Sequence, residues 1–230
     1  MNKKRIKKER RSKKRKLIVI LLIISIIFCL IKSFSKKEQE TINQKNSRDE
    51  NEITVADITE ITEKSSFPTD VFGVPVHTEL IESNTKARPG TKRKIRYIVI
   101  HETDNFDKTT GAKNHAQFLS ENNMDSTSWH YTVDDKEIYH HIPDNEVAYH
   151  AANEIGNLYG IGIELCVNNG GNFEKTFNNA AKLVAYLLKE YNLTIYDLKT
   201  HHDFSGKDCP HSILKNNRMD EFIEKVEKYM

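Results

Sequence analysis

Apolar residues along this chain fall into one unbroken run and a series of short periodic stretches. The run is Leu17 to Ile31, LIVILLIISIIFCLI, in which Ser25 is the only polar side chain. Fifteen residues at about 1.5 Å each fall short of the roughly 20 that usually span a bilayer. Lys16 and Lys32 can snorkel and Phe34 lies just beyond, so a transmembrane helix is expected over 17–34. A cleaved signal peptide, leading to secretion, is the alternative, but the small-residue cleavage pattern is missing after Ile31.

The periodic stretches begin near Asp70. Ile95 to His101, IRYIVIH, is β-branched and aromatic on both faces and predicts a central strand covered on each side. Ala112, His115, Ala116 and Leu119 share one face of a helix over Thr110 to Asn122. Ser128 to His140 predicts a strand pair turning at Asp134-Asp135. In Ile161 to Val167, Ile161, Ile163, Leu165 and Val167 take one face of a strand, and Gly162, Glu164 and Cys166 take the other. Amphipathic helices are predicted over Asn179 to Tyr191 and Arg218 to Met230. Strands alternating with helices predict an α/β fold: a central mixed β-sheet flanked by helices, one folded domain behind an N-terminal transmembrane helix.

Charge sharpens this division. Residues 1–16 hold eleven Lys or Arg and one acid, leaving 24 basic against 32 acidic residues in the remainder, a net of −8. A basic run next to an apolar segment predicts that the N-terminus stays in the cytoplasm and that the residues after Lys32 lie outside the cell. The same run could bind a phosphate backbone, but the adjoining apolar stretch makes topology the better explanation, and no nucleic-acid partner is expected. Ser33 to Ser66 is polar, with one aromatic residue and no Gly or Pro, and cannot bury enough surface to fold alone. The expected organisation is a cytoplasmic basic segment over 1–16, an anchor over 17–34, a flexible linker over 35–70 and a folded domain over 71–230.

Candidate chemistry concentrates in His201 to His211, HHDFSGKDCPH, read as a short loop carrying three imidazoles, a thiol and a Lys. Zinc takes neutral imidazole and thiolate, and a hydrolytic site needs three protein ligands, of which His201 and Cys209 can supply two. Such a loop can equally be a solvated turn. His101, at the end of its strand, is a candidate third ligand or a hydrogen-bonded core His. Glu164 lies on the strand face opposite the Ile and Leu row, where a charge is costly unless it is paired or serves a site.

Taken in order, YIVIHET, NHAQFL, SWHYTVDD, IGIELCVN and HHDFSGKDCPH closely resemble the type 2 N-acetylmuramoyl-L-alanine amidases, the zinc hydrolases of phage endolysins, bacterial autolysins and animal peptidoglycan recognition proteins. The resemblance covers about residues 72–215. It implies a Zn2+ held by His101, His201 and Cys209, with His202 at a variable position beside them. It implies Glu164 as the catalytic carboxylate and Lys207 as the cation near the reacting carbonyl. The bond cut would join N-acetylmuramic acid to L-Ala of peptidoglycan, with a non-catalytic peptidoglycan receptor of the same fold as the alternative. Retention of Cys209 favours the enzyme, and a monomer is expected.

One departure stands out. Several relatives carry a Tyr before the His of the HYTVDD-like motif, whereas this chain has Trp129, whose indole cannot donate a proton from oxygen. Trp129 is a candidate to pack against a sugar ring or to fill the core. His150 matches a position near the substrate and could donate to an oxyanion or make a structural hydrogen bond. Asp203 could orient an imidazole or cap the turn. His115 reads as a core His and Cys166 as a buried inert thiol, and no disulfide is expected. A thiol nucleophile at Cys209 is the competing chemistry.

Overall fold

The structure, a computed structural model, describes residues 67–121 and 125–230. The basic segment, the expected anchor and the linker up to residue 66 lie outside the described residues. Among those described, no helix is long and apolar enough to cross a membrane.

Strand β1 (Asp70–Val71) turns back into β2 (Val74–Thr78), and β3 (Tyr97–Glu102) leads to helix α1 (Ala112–Glu121). Strands β4 (Tyr131–Val133) and β5 (Ile138–His140) form the expected hairpin, and α2 (Glu154–Tyr159) runs directly into β6 (Gly160–Leu165). The long α3 (Phe173–Glu190) is followed by a 3-10 turn and β7 (Leu198–Thr200), then α4 (His201–Ser205), α5 (His211–Lys215) and α6 (Met219–Tyr229). The seven strands of the described residues make one sheet in the order β1-β2-β5-β4-β6-β3-β7. It is mixed: β1 with β2 and β4 with β5 pair antiparallel, and the other neighbours pair parallel.

The two faces of the sheet differ in kind. Ile98 and Ile100 of β3 and Ile161, Ile163 and Leu165 of β6 point to one side, where α3 brings Phe177, Leu183, Val184, Leu187 and Leu188, and α6 brings Phe222 and Val226. Each such Leu or Ile contributes roughly 1.5–3 kcal/mol on burial, so this layer carries the fold. The other face, lined by His101, Thr132 and Glu164, is polar, and it holds the candidate chemistry.

Helix α1 buries the predicted Ala112, His115, Ala116 and Leu119. Its first N–H, at Ala112, donates to Asp134 Oδ2 at 2.9 Å. Helix α3 starts six residues before the expected Asn179, because Asn172 caps it by accepting the Lys175 N–H. Ordered packing also begins before the expected boundary at residue 71. The Phe67 ring sits edge-on to His140 at 4.5 Å, and Asp70 already pairs with Pro75. The stretch His201 to His211 is not one loop: α4 opens it, and α5 begins at its end.

Four further histidines lie inside the domain. His130, His140 and His141 are fully buried and His150 nearly so. Burial, then the Arg93 guanidinium, holds His130 well below the ordinary imidazole range. Burial, then His140, pushes His141 down to about 3. Unfolding exposes the His130 and His141 rings, which then take up protons near pH 6.5. Their stabilising contribution is therefore complete above pH 6.5 and is lost as pH falls toward 3, at up to about 1.4 kcal/mol per His per pH unit. The urea midpoint is expected to be lower at pH 5.5 than at pH 7.5, and equal midpoints would contradict this reading of the buried histidines.

Candidate metal centre

Strand pairing brings the candidate residues together. In the parallel β3–β6 ladder His101 is the register partner of Glu164, so both side chains leave the polar face side by side. On the other flank of β3, Ile100 pairs with Thr200, which sets the next residue, His201, beside His101. Thr200 caps α4 by a reciprocal box with Asp203: Thr200 Oγ1 accepts the Asp203 N–H, and Asp203 Oδ2 accepts the Thr200 N–H at 2.7 Å. Of the two roles open to Asp203, capping is the one observed.

The chain then folds back. Gly206, at φ 74°, ends α4 in the left-handed region. The His202 N–H donates to the Cys209 carbonyl at 3.1 Å. Glu102 fastens the return: its carboxylate accepts the N–H groups of Ser212 at 3.0 Å and Ile213 at 3.3 Å, at the start of α5. Cys209 is thereby tied to the end of the strand that carries His101.

The resulting cluster is tight. His101 Nδ1 lies 3.0 Å from His201 Nδ1 and 3.9 Å from Cys209 Sγ. One donor atom from each of the three buried residues falls within 4.8 Å of the others. Glu164 Oε1 is 4.0 Å from His101 Nδ1, and Glu164 Oε2 is buried without a hydrogen-bond partner. Burial, then the charges of His150, His201 and Lys207, holds His101 well below its ordinary value, and burial followed by Lys207 lowers His201. Burial pushes the Cys209 thiol up to about 12. Burial also pushes Glu164 up to about 8, against the pull of Lys207. Two neutral imidazoles and a thiol fit zinc in donor type, and a cation among them is what would draw off the thiol proton. The unpartnered oxygen of Glu164 points to the same need for a ligand.

The other candidates separate. Lys207 stands exposed at the rim, with its charge felt at Glu164 and His201. His202 is exposed and outside the donor cluster. Of the two roles open to Trp129, the core position is the one observed: it is 8% exposed, packed with Ile81, Leu119, Ile142 and Ala148. Its indole N–H donates to Thr132 Oγ1 at 2.7 Å. With little of the ring exposed, a sugar has little to stack on. His150 makes the structural hydrogen bonds that were one of its two expected roles. Both of its ring nitrogens are engaged within the protein, with His101 Nε2 at 3.0 Å and the Gly160 carbonyl at 3.1 Å, so neither is left for a substrate oxyanion. His115 is buried on α1, and Cys166 packs with Ala112, Ala116 and Tyr139. Glu102 and the glycines of β6 were missed by sequence reasoning, although alternation of Gly160 and Gly162 with Ile marks a strand face that something else must fill.

Comparison with known proteins gives this geometry a family. Residues 91–212 match the family described as N-acetylmuramoyl-L-alanine amidase. The chain belongs to that family. It is 41% identical over 144 residues to the N-acetylmuramoyl-L-alanine amidase CwlH of Bacillus subtilis (strain 168), covering 61% of this chain and 57% of CwlH. It is 40% identical over 143 residues to XlyA of the same organism, covering 61% of this chain and 48% of XlyA. The chain thus spans about half the length of these curated relatives. The solved catalytic domain of XlyA superposes with a TM-score of 0.64 at 38% identity, covering 66% of this chain and 99% of that domain. His101, His150, Glu164, His201, Lys207 and Cys209 all fall inside the amidase match.

Proposed function

We propose that this chain is a zinc-dependent N-acetylmuramoyl-L-alanine amidase that hydrolyses the amide joining N-acetylmuramic acid to L-alanine in peptidoglycan. The observation that carries the reading is the cluster of His101, His201 and Cys209 with the Glu164 carboxylate beside it, within the region matched to the amidase family. His101, His201 and Cys209 would hold the zinc. A zinc ion held there would supply Lewis-acid polarisation of the scissile carbonyl and would ease loss of a proton from the attacking water near neutral pH.

The protein's own groups do the rest. The Glu164 carboxylate, with Oε1 4.0 Å from His101 Nδ1, would take the proton of the attacking water and return it to the leaving amine. Lys207 places positive charge where the carbonyl oxygen becomes an oxyanion. A thiol nucleophile at Cys209 would need a depressed pKa, whereas burial pushes this thiol up. The reading that the chain is a non-catalytic receptor is disfavoured by the presence of Cys209, Glu164 and Lys207 together.

The basic run and the apolar stretch beside it support an anchor with its N-terminus in the cytoplasm and the amidase domain outside, on a tether from residue 35. A cell-surface monomer acting on the wall around it is the form proposed. The full chain is expected in the membrane fraction, with its folded domain open to protease added to intact protoplasts. Protection of that domain would overturn the topology.

Activity divides the roles. Glu164→Gln is expected to lower release of stem peptides from purified cell walls by about 10²–10⁴-fold with zinc content retained. Cys209→Ala is expected to lose both. Release is measured as new L-alanine amino termini, and undiminished release from Glu164→Gln would refute the site.

A further inference from the structure

His150 stands behind the proposed ligand His101, and its partners dictate where the protons lie. The Gly160 carbonyl can only accept, so His150 Nε2, 3.1 Å away, carries a hydrogen. A neutral imidazole has one N–H, which leaves His150 Nδ1 as an acceptor facing His101 Nε2 at 3.0 Å. His101 Nε2 then carries the hydrogen, and His101 Nδ1 presents its lone pair toward His201 and Cys209. Both rings are buried, His101 at 1% and His150 at 8% exposure, where an uncompensated imidazolium is costly and the neutral form is favoured.

The fold is cut to hold this relay. A Cβ at Gly162 would lie 2.6 Å from His150 Cγ, and one at Gly160 would lie 2.5 Å from the Gly156 carbonyl oxygen and 2.6 Å from Val99 Cγ2. Gly162 therefore opens the slot in which the His150 ring lies, and Gly160 lets β6 pass close to Gly156 and Val99. Asn157 Oδ1 fixes the backbone at the same place by accepting the N–H groups of His150 at 2.9 Å and Ala151 at 2.8 Å. His201 has no counterpart, since its Nε2 is buried without a partner.

We propose that His150 is a positioning residue for the metal site: anchored on the Gly160 carbonyl, it locks His101 in the Nε2–H form and aims Nδ1 at the ion. This rests on the reading that zinc sits among His101, His201 and Cys209. Orienting partners of this kind are worth about 10–100-fold in metal affinity.

The test is the zinc dissociation constant of the full chain in detergent, by competition with a chromophoric chelator. His150→Ala is expected to weaken binding about 10–100-fold. Gly162→Ala, which crowds the ring, is expected to weaken it in the same direction. His150→Gln, whose amide can accept from His101 and donate to Gly160, is expected to recover most of the loss, a rescue that simple filling of space would not require. Nitrogen-15 shifts of the wild-type imidazoles decide the matter even where a variant fails to fold: His101 must appear as the Nε2–H tautomer. A wild-type protein that binds zinc while His150→Ala binds it equally well overturns this inference alone, as does an Nδ1–H tautomer at His101. A wild type that takes up no zinc overturns the metal reading and this inference with it.

Discussion

The parallel, in-register pairing of β3 with β6 is the constraint on which the rest of the site depends. It sets His101 opposite Glu164 and, one step further into each strand, Ile100 opposite Ile163. Because side chains alternate across a strand, the same register that buries the Ile rows under α3 sends the imidazole and the carboxylate to the polar face. A slip of one residue in either strand would exchange a chemical group for a core group. The apolar layer thus enforces the geometry of the site as well as the stability of the domain.

Around that pair, hydrogen bonds hold the donors still. β7 sets His201 beside His101 through its own pairing with β3. The Thr200–Asp203 box fixes the first turn of α4, and Glu102 pins the start of α5, so the segment carrying Cys209 is held at both ends. Behind His101, the His150 ring fills the slot left by Gly162. Within the cluster, Glu164 Oε2 and His201 Nε2 are buried without hydrogen-bond partners.

Much of this was legible in the sequence, for identifiable reasons. β3 and β6 announce themselves as β-branched runs, α1, α3 and α6 as apolar stripes, and the β4–β5 hairpin by its Asp-Asp turn. β1, β2 and β7 are two to five residues long, too short for a period of two to declare itself. α4 hid inside what reads as a loop because HHDFS has no apolar stripe, although Thr200 and Asp203 spell a capping box. The proposed ligands were suggested by residue type, but choosing His201 over His202 required resemblance to a family, since spacing alone does not tell adjacent histidines apart. The two roles open to Trp129 and to His150 could not be separated in the sequence for a common reason. Whether a polar-tipped ring faces solvent or the interior depends on partners the sequence does not reveal, here Thr132 for Trp129 and both His101 and Gly160 for His150.

In the proposed site two imidazoles and one thiolate, from β3, α4 and the turn after it, hold zinc. X-ray absorption fine structure at the zinc edge of the loaded chain tests it most directly. Two imidazole nitrogens at about 2.0–2.1 Å and a single sulfur at about 2.3 Å are expected. A zinc shell without sulfur, or with only one imidazole, would contradict it.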